Sequence, residues 1–224
     1  MAGDKRTRMS LLCLVCGLMA VRCDSRPSGG LAVLPYSELD WSGSPPHSGR
    51  PGRLPGAAQQ RHEWAAEGYR PWRYIVIHHS ATDRGSAAMF DKSHRARGWD
   101  ELGYHFVIDN GDGGPDGQSE VGHRWRIQKW GAHCGGTPNN EYNNYGIGIC
   151  LVGDFTRQSP SRRQLASLAS LVTYLARQYD IPPGCILGHC DAPNASTACP
   201  GSRLHGFVLS TLRPQVARQF AIGR

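Results

Sequence analysis

The stretch Arg73-Tyr74-Ile75-Val76-Ile77-His78 sets three branched aliphatic residues in succession behind an aromatic one, with no polar alternation. A strand that is apolar at every position has to be covered on both faces, which is the situation of an inner strand of an α/β sheet rather than of a half-solvated hairpin. The run stops at a histidine. His78 is therefore expected at a strand end, where clefts form.

The periodicity that follows fits the same fold class. Ser86 to Arg97 reads as a helix closed by Gly98, and Gly103-Tyr104-His105-Phe106-Val107-Ile108 as a second strand. Gly146-Ile147-Gly148-Ile149-Cys150-Leu151-Val152 gives a third strand. Ser159-Pro160 supplies an N-cap serine and a proline at the first helical position, after which Leu165, Leu168, Leu171, Val172 and Leu175 recur at spacings of three and four. Ile186-Leu187 is a short strand entering Gly188-His189. Leu204, Phe207, Val208 and Leu212 suggest a last helix, disturbed at Pro214. The expectation is one α/β domain, with a mixed central β-sheet flanked by helices and a surface groove at the strand ends.

With 224 residues the chain has room for a single catalytic domain and appendages. Residues 1–23 combine Lys5, Arg6 and Arg8 with an apolar run from Met9 to Val21, which predicts a signal peptide or an N-terminal membrane anchor, with lipid attachment as a further option. Residues 24–56 are rich in Pro, Gly and Ser and read as a flexible linker. The folded domain is expected over residues 57–224. The formal charge is +7, and falls to +4 without the first 23 residues, which carry Lys5, Arg6, Arg8 and Arg22 against Asp4. A mildly cationic protein is attracted to anionic polymers, but so modest a charge does not identify a partner; the leader predicts export, to the periplasm, cell envelope or extracellular space. No basic run is interleaved with aromatics, so no nucleic-acid partner is expected. A monomer is expected.

Three residues carry the chemistry. His189 lies in Gly188-His189-Cys190-Asp191 and Cys199 in Thr197-Ala198-Cys199-Pro200-Gly201, ten positions on. Together with His78 they offer two imidazoles and a thiolate, a donor set that catalytic zinc uses while leaving a fourth position open. On spacing alone other readings stand beside this one: hydrogen-bonded structural histidines, or a cysteine hydrolase with Cys199 as nucleophile and His78 or His189 as base.

Ile77-His78-His79-Ser80-Ala81-Thr82, Arg97-Gly98-Trp99 with Gly103-Tyr104-His105-Phe106, Gly146-Ile147-Gly148-Ile149, and Gly188-His189 with Thr197-Ala198-Cys199-Pro200-Gly201 occur in that order. This series resembles the N-acetylmuramoyl-L-alanine amidase family, which includes peptidoglycan recognition proteins and phage amidase lysozymes. The resemblance covers roughly residues 60 to 215. It implies Zn2+ held by His78, His189 and Cys199, and hydrolysis of the amide between N-acetylmuramic acid and L-alanine in peptidoglycan or muropeptides. It also implies catalytic roles for Tyr104, beside the attacking water, and for Thr197, where phage enzymes carry a lysine. His133 in Trp130-Gly131-Ala132-His133 and Asn143 in Tyr142-Asn143-Asn144-Tyr145 are expected as substrate contacts on the groove wall. Some recognition proteins bind peptidoglycan without turnover, so a non-catalytic binding module is the alternative; the presence of Cys199 argues for the enzyme. Such proteins usually carry a disulfide near the start of their domain. This chain has no cysteine between Cys23 and Cys134, a departure that points towards a bacterial or phage-like enzyme.

His79 and His105, next to candidate site residues, are expected on opposite faces from them. Asp109-Asn110-Gly111-Asp112-Gly113-Gly114 with Glu120 superficially suggests calcium, but glycine stands at positions where an EF-hand needs oxygen ligands, so a hairpin is favoured. Cys185 with Cys190 could close a short disulfide loop beside His189, while Cys150, in an apolar strand, is expected as a buried thiol.

Overall fold

The computed structural model of the chain describes residues 63–222. The expected signal or anchor segment, the whole of the expected linker and residues 57–62 of the expected domain lie outside the described residues. Five strands form one mixed sheet: β1 (Tyr74–His79), β2 (Phe106–Ile108), β3 (Ser119–Val121), β4 (Gly146–Leu151) and β5 (Ile186–Gly188), in the spatial order β3-β2-β4-β1-β5. β1 lies parallel between β4 and β5, and β2 is parallel to β4, while β3 returns antiparallel along the edge of β2. All six residues of β1 are buried, as its unbroken apolar run requires. His78 aligns with Cys150 of β4, at the end of the strand where the connecting loops converge.

The helices are α1 (Ala87–Ala96), the short α2 (His123–Arg126) and α3 (Glu141–Tyr145), α4 (Arg162–Gln178), α5 (Ser202–Phe207) and α6 (Arg213–Ile222). The stripe Leu165, Leu168, Leu171, Val172 and Leu175 on α4 is buried in the main core with Ile75, Ile77, Ile147 and Ile149. The start of α4 differs from the sequence expectation. Its N-cap is Ser161, whose hydroxyl accepts from Gln164 N while the Gln164 side chain accepts from Ser161 N, so a capping box satisfies both ends two residues beyond Ser159. The expected second strand is also shorter, beginning at Phe106, because Gly103 and His105 are bends, although His105 N still donates to Gly148 O at 2.9 Å. At the C-terminus the helix does not stop at Pro214. A π-helical turn over Val208–Leu212 joins α5 to α6, and the widened turn accommodates a proline that offers no N–H.

The segment from Asp109 to Gly117 is the connection of the β2–β3 hairpin, as favoured over a calcium loop. Asp109 is fully buried and neither carboxyl oxygen has a donor. Burial, and then the neighbouring Glu120, raise its pKa to about 8, so it is a protonated acid at neutral pH. Glu120 in turn accepts from Ala87 N at the first turn of α1.

One buried cation ties the loops around the site. Arg124, 1% exposed, donates from Nε to Leu102 O (2.7 Å) and from Nη1 to Trp130 O (2.8 Å), and pairs with Asp100. It thereby clamps the segment leading to Tyr104 against the segment leading to His133.

Candidate metal centre

His78 ends β1, His189 follows β5 in a single tight turn, and Cys199 comes from the loop before α5. These three elements are brought side by side because β1 and β5 are adjacent and parallel. One ligand atom from each residue lies within 4.8 Å of the others, and Cys199 Sγ is 3.6 Å from His78 Nδ1. The loop carrying Cys199 is tied back to the turn carrying His189, since Cys190 N donates to Cys199 O at 2.8 Å.

The electrostatics of this trio suit a cation. His78 is essentially buried, and burial, followed by the nearby His133 and His189 imidazoles, holds its pKa well below the ordinary value. His189 is lowered by burial as well. Both are therefore neutral and offer lone pairs. Burial pushes the Cys199 thiol up to about 12, opposed by a hydrogen bond from His79 N to Sγ at 3.4 Å. A thiol so raised is a poor nucleophile, which argues against the cysteine-hydrolase alternative. A divalent ion would supply the positive charge that a buried thiolate needs, so the donor set fits zinc in both type and number.

The other expected site residues are placed unequally. Tyr104 stands over the trio, its ring 5.3 Å from that of His78 and 5.6 Å from that of His94. Burial raises its hydroxyl well above the ordinary phenol value, and the Cys150 thiol, itself fully buried as expected, adds to the effect. Thr197 is exposed at the rim, and its Oγ1 accepts from Cys199 N at 3.1 Å. His133 and Asn143 are not on an open wall. Both are buried: Asn143 Oδ1 accepts from His133 N and Cys134 N, each at 2.8 Å, and His133 uses both ring nitrogens on protein partners. Their polar atoms are turned into the protein, His133 from the loop before α3 and Asn143 from α3 itself.

His79 and His105 point away from the donor trio as expected. His79 Nδ1 accepts from Phe155 N at 3.2 Å, and His105 Nδ1 accepts from Gly148 N at 2.9 Å while Nε2 donates to Lys129 O. The suggested Cys185–Cys190 loop does not form: Cys190 is a free thiol and Cys185 is disulfide-bonded elsewhere. Cys190, Asp191 and His205 make a second cluster of potential donors. Here Asp191 occupies both its oxygens with His205 Nε2 at 2.9 Å, and Oδ2 also accepts from Gly188 N. That carboxylate, and then Cys190, raise His205 to about 10, so this cluster is an ion pair bracing the His189 turn. Sequence reading overlooked His94, whose Nδ1 accepts from Gly103 N at 3.0 Å and holds the Tyr104 segment in place. Its signal was a histidine followed by Trp99, with which it packs at 4.5 Å.

A family model described as N-acetylmuramoyl-L-alanine amidase matches residues 68–202 and so contains the whole donor trio. The chain belongs to the N-acetylmuramoyl-L-alanine amidase family.

Within this family the chain is 30% identical to peptidoglycan recognition protein 1 of Bos taurus over 188 residues, covering 80% of this chain and 89% of the bovine protein. It is 27% identical to an N-acetylmuramoyl-L-alanine amidase of Sus scrofa over 195 residues, 75% of this chain but 30% of the pig protein. It is 29% identical to peptidoglycan-recognition protein LB of Drosophila melanogaster, covering 62% of this chain and 59% of the fly protein. The chain thus spans less than a third of the pig relative and about three fifths of the fly one.

Among solved structures, an endolysin N-acetylmuramoyl-L-alanine amidase from Clostridium intestinale is similar with a TM-score of 0.51 and 29% identity, over 59% of this chain and 77% of that one. A single-site mutant of the fly recognition protein LB, described in complex with tracheal cytotoxin, is similar with a TM-score of 0.50 and 27% identity, over 67% of this chain and 92% of that one. Amidase-family membership and the mixed-sheet fold agree with the expectations from sequence.

Proposed function

We propose that this chain is a zinc-dependent N-acetylmuramoyl-L-alanine amidase that hydrolyses the amide joining N-acetylmuramic acid to L-alanine in peptidoglycan or its muropeptide fragments. The observation that carries the proposal is the convergence of His78, His189 and Cys199 to within 4.8 Å in a donor set suited to a divalent ion. Bound there, zinc would supply a Lewis acid for the amide carbonyl and lower the pKa of water to about 7.

The chain's own residues divide the remaining work. Tyr104, whose hydroxyl burial shifts towards the neutral form, is placed to orient the attacking water by hydrogen bonding. Thr197 Oγ1 already accepts from Cys199 N, which leaves its own hydroxyl proton to donate to the oxyanion that develops at the carbonyl. Carrying no charge, Thr197 stabilises that oxyanion less than a lysine would. A muropeptide ligand is supported by the fly relative described with tracheal cytotoxin. Because the substrate polymer lies outside the cytoplasm, the same reading makes the protein exported, through residues 1–23. No helix among the described residues is long and apolar enough to cross a membrane.

The test is incubation of the chain with defined muropeptides, with and without a zinc chelator, and identification of products by mass. Release of the intact stem peptide, abolished by chelation and restored by zinc, is expected. Binding of muropeptide without cleavage would make the protein a recognition module. Cleavage that ignores the chelator would refute the metal-dependent reading.

A further inference from the structure

Beneath the donor trio a line of hydrogen bonds runs to the backbone of the sheet. His133 Nε2 is 3.1 Å from Gly146 O, His133 Nδ1 is 3.1 Å from His78 Nε2, and His78 Nδ1 is 3.6 Å from Cys199 Sγ. The direction of every proton along this line is set by its first member. A carbonyl oxygen can only accept, so Nε2 of a neutral His133 must carry the proton and its Nδ1 must be a lone pair. His78 Nε2 then has to donate to that lone pair, which leaves His78 Nδ1 bare, and Nδ1 is the nitrogen that faces Cys199.

His133 is built in rather than incidental. A Cβ at Gly131 would come within 2.4 Å of the His133 ring and one at Gly148 within 2.3 Å, so the imidazole fills a slot that two side-chain-free positions keep open. Asn143 Oδ1 fixes its backbone by accepting from His133 N and Cys134 N. The ring is 8% exposed and lies 5.6 Å from that of His105, whose two nitrogens are committed elsewhere and cannot compete for His78.

We propose that His133 is a positioning residue that fixes His78 in the Nε2–H tautomer, so that His78 Nδ1 is presented as a metal donor before any ion arrives. The role rests on the metal-centre reading above, but the tautomer itself does not. A histidine that must choose its tautomer and ring orientation on binding gives a weaker site, and groups hydrogen-bonded to metal-ligating histidines typically contribute 10- to 100-fold in affinity. Asn143 acts one step further out, by holding the backbone that carries His133.

The experiment uses the chain containing residues 1–224 and two readouts. Long-range nitrogen–proton spectra of the metal-free protein report the His78 tautomer directly, and competition with a chromophoric chelator reports zinc affinity. In the parent, His78 is expected as Nε2–H with unprotonated Nδ1. His133→Leu, which neither accepts from His78 nor donates to Gly146 O, is expected to mix the tautomers and weaken zinc roughly 10- to 100-fold. His133→Asn, whose amide oxygen sits near the former Nδ1, is expected to recover much of both. A parent whose His78 carries its proton on Nδ1 overturns the proposal even if the leucine variant fails to fold. So does zinc affinity in a folded His133→Leu equal to that of the parent. Failure of the parent to bind zinc at all, with the expected tautomer present, would instead overturn the metal reading and leave the hydrogen-bond line standing.

Discussion

Cys199 Sγ lies 3.6 Å from His78 Nδ1 across a separation of 121 residues, so the end of the first strand and the loop before the last helical segment meet at one point. An ion held between them would bind the folded chain and not the unfolded one, and would act as a cross-link between distant parts of the sequence. At a free zinc concentration of about 100 times the dissociation constant the gain is about 2.7 kcal/mol, which in a domain of this size corresponds to a Tm shift on the order of 5–10 °C. Chelation should lower the calorimetric Tm by that amount, and Cys199→Ser or His189→Ala should start from the lower value and respond little to zinc. An identical Tm with and without zinc would rule the cross-link out.

Tyr104→Phe is expected to leave zinc affinity roughly unchanged while lowering kcat on the order of 100-fold, the usual scale for losing one oriented donor at a reacting centre. The ring packs against His78 and His94, so the phenylalanine should preserve the fold. Steady-state kinetics on a defined muropeptide decide the matter, and an unchanged kcat would remove Tyr104 from the chemistry.

Gly148→Ala puts a methyl group 2.3 Å from His133 Cδ2, the ring atom that a Cβ at Gly131 would also crowd, at 2.4 Å. The ring has to move or β4 has to shift, at a cost of about 1–3 kcal/mol typical of overpacked cores. Denaturant unfolding should show the loss of stability. A variant as stable as the parent would mean that the slot is looser than its geometry indicates.

Asp109 reverses the usual pH dependence of a carboxylate. Its folded pKa is raised to about 8, so between about pH 4 and pH 8 the folded state keeps a proton that the unfolded chain has released. Stability from this group is therefore greatest in acid and is lost as pH rises through that window. Asp109→Asn retains a donor towards Glu120 without the titration. In metal-free protein its Tm should exceed that of the parent at pH 8, with the gap closing towards pH 4. A gap independent of pH would show that Asp109 is ionised throughout.

What could be read from the sequence followed from local pattern. The Tyr74–Ile77 run announces a doubly covered strand because it is apolar without alternation, and the α4 stripe repeats at helical spacing, so these elements and their share of the core need little tertiary information, whereas the order of the strands does. Ser161-Arg162-Arg163-Gln164 also carried a readable capping box, which the proline after Ser159 obscured. The three residues of β3, Ser119-Glu120-Val121, are too short and too polar to announce a strand, and owe their pairing to the hairpin. The inward turn of His133 and Asn143 had no local signal. It depends on the glycines at 131 and 148 making room, a relation that exists only once β4 and the loop are side by side.

The hydrogen bond from Cys190 N to Cys199 O pinches the chain where it leaves and rejoins the candidate metal centre. Asp191 through Ala198 are thereby an excursion with fixed endpoints, and Thr197 rides on its outer side, open to solvent. Within it, changes at Pro193 to Ser196 can reshape the rim while Asp191, which accepts from Gly188 N, and Thr197, which accepts from Cys199 N, keep their places beside the two candidate donors. On the proposed reading, the shape of the rim and the grip on an ion are thus separable, and a small stretch of surface is free to drift without disturbing the donors beneath it.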